Sequence, residues 1–158
     1  MKKKFIETYM DVAERFAQLS SAKRLQVGAI VVKDDRIISI GYNGMPAGWD
    51  NDCENVEWCS AGGWLSAEEI VEGWPFEGTY LDADGSKVQS RYRLKTKPEV
   101  LHAEANAITK LARSSESGDD ATIFVTHAPC IDCAKLIYQS GIDTVYYKND
   151  YRSTQGLD

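Results

Sequence analysis

Two short stretches, His102-Ala103-Glu104 and Pro129-Cys130-Ile131-Asp132-Cys133, constrain this chain more than anything else in it. A histidine, two cysteines at a three-residue step and a nearby glutamate are the parts of a hydrolytic zinc site. A catalytic zinc takes three protein ligands and leaves its fourth position to water. His102, Cys130 and Cys133 are therefore the expected ligands, and Glu104 the expected proton carrier. Cys130 and Cys133 lie one helical turn apart on a single face. Pro129 suits the position just ahead of a helix, where its missing N–H costs little. The positive end of that helix favours both thiolates. His102 likewise opens a helical pattern, so two helix N-termini are expected to meet at one metal. Glu104 points elsewhere on its turn and reaches the water without ligating.

Plainer readings exist. Cys-x-x-Cys alone is also a redox pair or half of a structural zinc knuckle. With His127 as a fourth ligand the site would close and become structural. Against closure, His127 stands at a strand end, and a structural site gives Glu104 no use.

The rest of the sequence limits the setting. A chain of 158 residues with 43% hydrophobic and 27% charged residues suits one globular domain, here 1–158. No stretch approaches the roughly 18 uninterrupted apolar residues of a membrane span. The basic start leads into an amphipathic pattern and not a signal peptide, so a cytoplasmic protein without membrane contact is expected. A net charge of −6 argues against a nucleic-acid partner, whose phosphates want a basic groove, but allows a small anionic substrate. In such a setting four cysteines are better used on metal or catalysis than in disulfides.

Phe5, Tyr9, Val12, Ala13, Phe16 and Leu19 recur at helical spacing, which predicts a helix over 5–19 with these residues buried. The apolar runs 27–32 and 37–40 around Lys33-Asp34-Asp35-Arg36 predict a hairpin in a sheet covered on both faces. Between about 48 and 98 the pattern weakens. Ser66 to Val71 could start a short helix there, and all four tryptophans fall in the stretch, which suggests a packed insertion, in which they are buried, or a subunit contact. Arg91, Arg93, Lys95 and Lys97 alternate along a strand pattern, as on a charged edge strand or a phosphate-facing stripe. Helices over 102–113 and 130–140 and strands over 122–126 and 144–147 complete an α/β order with one mixed sheet.

The chain resembles the deoxycytidylate (dCMP) deaminases of the cytidine deaminase superfamily. Besides the zinc signature, the likeness rests on 27–32, on Gly41-Tyr42-Asn43-Gly44-Met45-Pro46, on 102–108 and on Val125-Thr126…Pro129-Cys130…Cys133-Ala134-Lys135. The resemblance implies a three-layer cytidine-deaminase-like fold, a mixed sheet sandwiched by helices. It implies zinc-dependent hydrolysis of dCMP to dUMP for thymidylate synthesis, in a homohexamer activated by dCTP with Mg²⁺ and inhibited by dTTP. Gly41, Tyr42, Asn43 and Gly44 carry over to the effector site. Asn43 and Ala103 also carry over to the substrate, with Arg24, Arg113 and Tyr151 as further substrate contacts and Lys148 and Arg152 as phosphate candidates. A phage or bacterial source suits such an enzyme. Some phage members hold a second zinc, but here Cys53 and Cys59 lack histidines beside them, so buried thiols are the expectation. The alternatives are a deaminase of another cytosine carrier, nucleoside or single-stranded nucleic acid, and a zinc-stabilised binding module without catalysis.

Overall fold

The computed structural model of the protein describes residues 1–58, 76–81 and 87–150. The helix considered over 66–71 lies outside them, as do Cys59, Trp64, Trp74, Tyr151 and Arg152. Two compact units are present, one of Met1–Asp52 with Glu99–Asp158, the other of Cys53–Pro98.

The first unit starts with helix α1 (Lys3–Ala17) and the hairpin β1 (Gly28–Lys33) and β2 (Arg36–Tyr42). Asp34 and Asp35 both take positive φ, 53° and 60°, which is how a two-residue turn matches the twist of its strands. Aspartate tolerates that left-handed region better than most side chains. The second half holds α2 (Ala103–Ala112), β6 (Thr122–His127), α3 (Ile131–Gln139) and β7 (Thr144–Asn149). In chain order, β3 (Glu54–Trp58), β4 (Phe76–Leu81) and β5 (Lys87–Thr96) of the second unit come between these two halves of the sequence.

The main sheet has the order β2-β1-β6-β7, antiparallel except for the parallel β6–β7 pair. Alternation along β1 and β6 sends residues to two cores. Ala29, Val31, Ile123 and Val125 pack with Ala103, Ala107 and Leu111 of α2 and Ile137 of α3. Ile30, Val32 and Phe124 pack with Ala13 and the apolar face of α1. The result is a three-layer mixed α/β arrangement, with α1 on one side and α2 and α3 on the other. The α1 face differs from expectation at its ends. Phe5 is 45% and Leu19 54% exposed, while Ile6 and Met10 join Tyr9, Val12, Ala13 and Phe16 in packing. The helix ends at Ala17, so Leu19 no longer follows its periodicity.

Two glycines set how closely helices approach the sheet. A Cβ on Gly28 would lie 2.1 Å from the Ala13 carbonyl oxygen and 2.6 Å from the Ala17 nitrogen. On the opposite face, a Cβ on Gly41 would lie 2.2 Å from the Ala103 carbonyl oxygen and 2.6 Å from the Ala107 nitrogen. Both obstacles are backbone and cannot rotate away. Gly28→Ala is expected to cost about 1–3 kcal/mol by overpacking, read as a lowered denaturant midpoint with an unchanged slope.

In the second unit β5 pairs with β3 on one side and β4 on the other. It is a central strand, so the alternation through Arg91, Arg93 and Lys95 is not the blunting of an exposed edge. The register sets Glu77 opposite Arg91 and Glu57 opposite Arg93. Cys53 is buried, at 1% exposure. Trp49, expected to be buried with the other tryptophans, is 55% exposed. It sits in a turn closed by its own N–H on the Pro46 carbonyl, next to Gly48 with φ +85°.

Candidate active site

Helices α2 and α3 both begin at the same end of the sheet, with His102 and Cys130 at their N-cap positions. Neither gives the side-chain cap bond that Ser, Thr or Asp would supply there. Their side chains turn to one another instead. His102 Nδ1 lies 3.2 Å from Cys133 Sγ and 3.5 Å from Cys130 Sγ. The three donor atoms all fall within 4.8 Å of one another and form the one such metal-ligating group among the described residues.

That spacing fits a single metal ion. Zinc–nitrogen and zinc–sulfur bonds at a tetrahedral angle put nitrogen and sulfur about 3.6 Å apart, close to both observed distances. Three protein donors are also the number that leaves a tetrahedral ion one position for water or substrate. His127 is not in the group, and its Nδ1 is engaged 3.0 Å from Thr126 Oγ1.

Glu104 stands in the first turn of α2 and is only 4% exposed. Burial pushes its carboxyl group above the usual range, against the opposing pull of Cys133, its own backbone and His102. Burial, with Glu104 and Cys130 as neighbours, pushes the Cys133 thiol strongly upward as well. A divalent cation at these donors reverses that tendency, because a coordinating thiol is deprotonated outright. The donor set thus fits zinc in number, in softness and in charge.

The backbone around His102 is pinned from the hairpin. Gly44 and Leu101 exchange N–H···O bonds of 3.1 and 2.8 Å, immediately before the histidine. Asn106, one turn into α2, donates from Nδ2 to the Tyr42 carbonyl at 3.1 Å. Lys110 Nζ lies 5.6 Å from the centre of the Tyr42 ring. Neither Leu101 nor Asn106 has a role legible in the sequence, because both act through contacts with residues far away in the chain.

The other expected site residues are placed as follows. Ala103 is fully buried against Gly41, with its N–H in the unbonded first turn of α2. Asn43 accepts the Val27 N–H at 2.8 Å and donates to the Leu25 carbonyl at 2.7 Å. It ties the segment carrying Arg24 to the end of β2. Gly44 has open space where a Cβ would lie, whereas Gly41 has none. Arg113 caps α2 at its C-terminal end, away from the zinc donors, and is exposed. Lys148 is held by Glu14 at 2.6 Å. Asn43→Ala is expected to cost about 1–3 kcal/mol, two backbone groups losing their partner together. A lowered denaturant midpoint would show it.

A carboxylate kept dry beside three metal donors has no function in a purely structural zinc site. It has one in hydrolysis, and fold and donor set together define the class of zinc-dependent nucleobase deaminases. Known proteins narrow the class. The family model of the cytidine and deoxycytidylate deaminase zinc-binding region matches residues 3–149. The deoxycytidylate deaminase of Enterobacteria phage T4 is 36% identical over 152 residues, covering 91% of this chain and 77% of that protein. That of Homo sapiens is 33% identical over 145 residues, covering 91% and 64%. The crystal structure of dCMP deaminase from the cyanophage S-TIM5 in complex with dCMP and dUMP matches with a TM-score of 0.72 at 42% identity, covering 100% of this chain and 90% of that one. The chain belongs to the cytidine and deoxycytidylate deaminase family.

Proposed function

We propose that the protein is a zinc-dependent dCMP deaminase, hydrolysing dCMP to dUMP and ammonia and supplying dUMP for thymidylate synthesis. The observation that carries this reading is the buried Glu104 beside the His102, Cys130 and Cys133 donors. The cyanophage relative with bound dCMP and dUMP supports the choice of nucleotide.

When bound, zinc supplies Lewis acidity that ionises a water near neutral pH. The residues of the chain do the rest. Glu104 takes the water's proton and hands it to N3 of the cytosine ring, making C4 electrophilic. The water oxygen adds to C4, and Glu104 then carries that oxygen's remaining proton to the amine. The amine leaves as ammonia as the C4–N bond breaks and the carbonyl forms. Burial raises the proton affinity of Glu104, which strengthens it as the acceptor of the water's proton. The Ala103 N–H, in the open first turn of α2, is a donor for the substrate. Asn43, Arg24 and Tyr151 are the further proposed substrate contacts, and Arg113, at the far end of α2, is proposed to reach a substrate phosphate or a neighbouring subunit.

The reading extends to regulation: a cytoplasmic homohexamer, activated by dCTP with Mg²⁺ and inhibited by dTTP, with effectors at Gly41, Tyr42, Asn43 and Gly44. The open space at Gly44 and its pairing with Leu101 support a ligand-responsive loop at this point. Among the described residues no helix is long and apolar enough to cross a membrane.

The test is the cytosine absorbance of dCMP, deoxycytidine and single-stranded DNA with zinc-loaded protein, alone and then with dCTP–Mg²⁺ or dTTP. Loss of the dCMP band, faster with dCTP and slower with dTTP, is expected. Turnover indifferent to both triphosphates would overturn the regulatory part. Preference for deoxycytidine or DNA would overturn the choice of substrate.

A further inference from the structure

His127 is the last residue of β6, and three positions later the chain supplies the ligand Cys130. Ile123 and Val125 belong to the core beneath α2 and α3, while Phe124 belongs to the core beneath α1. In phase with Val125, His127 falls on the face of the sheet whose helices carry the zinc donors. It is partly buried and is not one of those donors.

Its protonation pattern is set by its neighbour. Thr126 is 3% exposed, and its Oγ1 accepts the Gly28 N–H at 3.1 Å while lying 3.0 Å from His127 Nδ1. The hydroxyl can accept from Gly28 and still give its one proton to the imidazole. With that proton given, Nδ1 is the accepting nitrogen and Nε2 carries the hydrogen. Burial also holds the ring's pKa below its ordinary value, which favours the uncharged imidazole.

The proton relay through Glu104 makes no use of this fixed donor. We infer that His127 is a substrate-contacting residue whose Nε2–H donates to the 2-carbonyl oxygen of the pyrimidine and orients the ring for attack at C4. The inference rests on the deaminase reading. An uncharged donor fits a carbonyl; a phosphate beside it would favour the charged imidazolium. Of the polar groups of the cytosine ring, the amine departs and N3 is served by Glu104; O2, with two lone pairs, can accept from His127 as well as from the Ala103 N–H.

The test uses zinc-loaded full chain with His127→Leu and His127→Gln, assayed on dCMP and on deoxycytidine. His127→Leu is expected to raise KM on the order of tenfold for both substrates, the size of one lost hydrogen bond. Its kcat should change less, and zinc content and melting temperature should match the parent. His127→Gln, which returns an N–H near the Nε2 position, should recover most of the loss. In protein with nitrogen-labelled histidine, dUMP should shift the Nε2 resonance of His127. An unchanged KM in His127→Leu overturns the inference, as does a defect confined to dCMP, which would mark a phosphate contact. A lower melting temperature with unchanged KM overturns it too, leaving a scaffolding role. Were the parent protein inactive on both substrates, the deaminase reading would fall and this inference with it. An active parent with an indifferent His127→Leu would sink the inference alone.

Discussion

Glu104→Gln should bind zinc like the parent protein and lose about 10²–10⁴-fold in turnover, the range that a positioned general acid–base contributes. The amide has the shape of the carboxyl group and can stay in the same 4%-exposed position, so the fold has little reason to change. What it lacks is the ability to accept a proton and return it. Metal analysis and the absorbance assay on one preparation separate the two properties. A variant within a few-fold of parental activity would leave the zinc with a merely structural purpose. Loss of zinc together with activity would show Glu104 to be a ligand.

Cys133→Ala acts on the other half of the site. Cys133 is 3% exposed in the first turn of α3, with its sulfur 3.2 Å from His102 Nδ1. Its removal leaves a nitrogen and one sulfur, fewer donors than a zinc site needs. The affinity loss should exceed the roughly 10–100-fold seen when only a supporting contact of a ligand is removed. Dialysed Cys133→Ala is expected to hold no zinc and to show no turnover. Its melting temperature should fall, because the metal joins the starts of α2 and α3 and its binding energy counts towards folding. Stripping the parent protein with a chelator should give the same inactive state, restored by added zinc, while the variant stays inactive. Full zinc and activity in the variant would mean that a different donor set holds the metal.

The parts of the molecule legible in the sequence are those with local causes. The Cys130–Cys133 step, Pro129 ahead of it and the Glu104 offset from His102 are decided within a turn or two of helix, and the structure places the His102, Cys130 and Cys133 donor atoms within 4.8 Å of one another. The 33–36 turn was equally readable, since two aspartates between β-branched runs leave few alternatives. The misses have non-local causes. Whether β5 is an edge or a central strand depends on β4, which no pattern inside β5 reports. The close packing of Gly41 on the backbone of α2 was not readable either. Gly28 plays the same part against α1, and no alternation of apolar residues announces either contact. Asn43 shows the same limit: its sequence context marked a ligand loop, and its side chain also secures the 25–27 backbone. The exposure of Trp49 depends on the turn at Gly48, to which composition is blind.

The central claim is that this chain catalyses a hydrolysis at C4 of the dCMP ring. The most direct measurement is mass analysis of the nucleotide product formed from dCMP by zinc-loaded protein in heavy-oxygen water, with ammonia counted alongside. The account predicts dUMP carrying one oxygen from solvent, one ammonia released per dUMP, and none of either from Glu104→Gln on the same timescale. Recovery of unchanged dCMP from zinc-replete protein, or of dUMP without solvent oxygen, would contradict it.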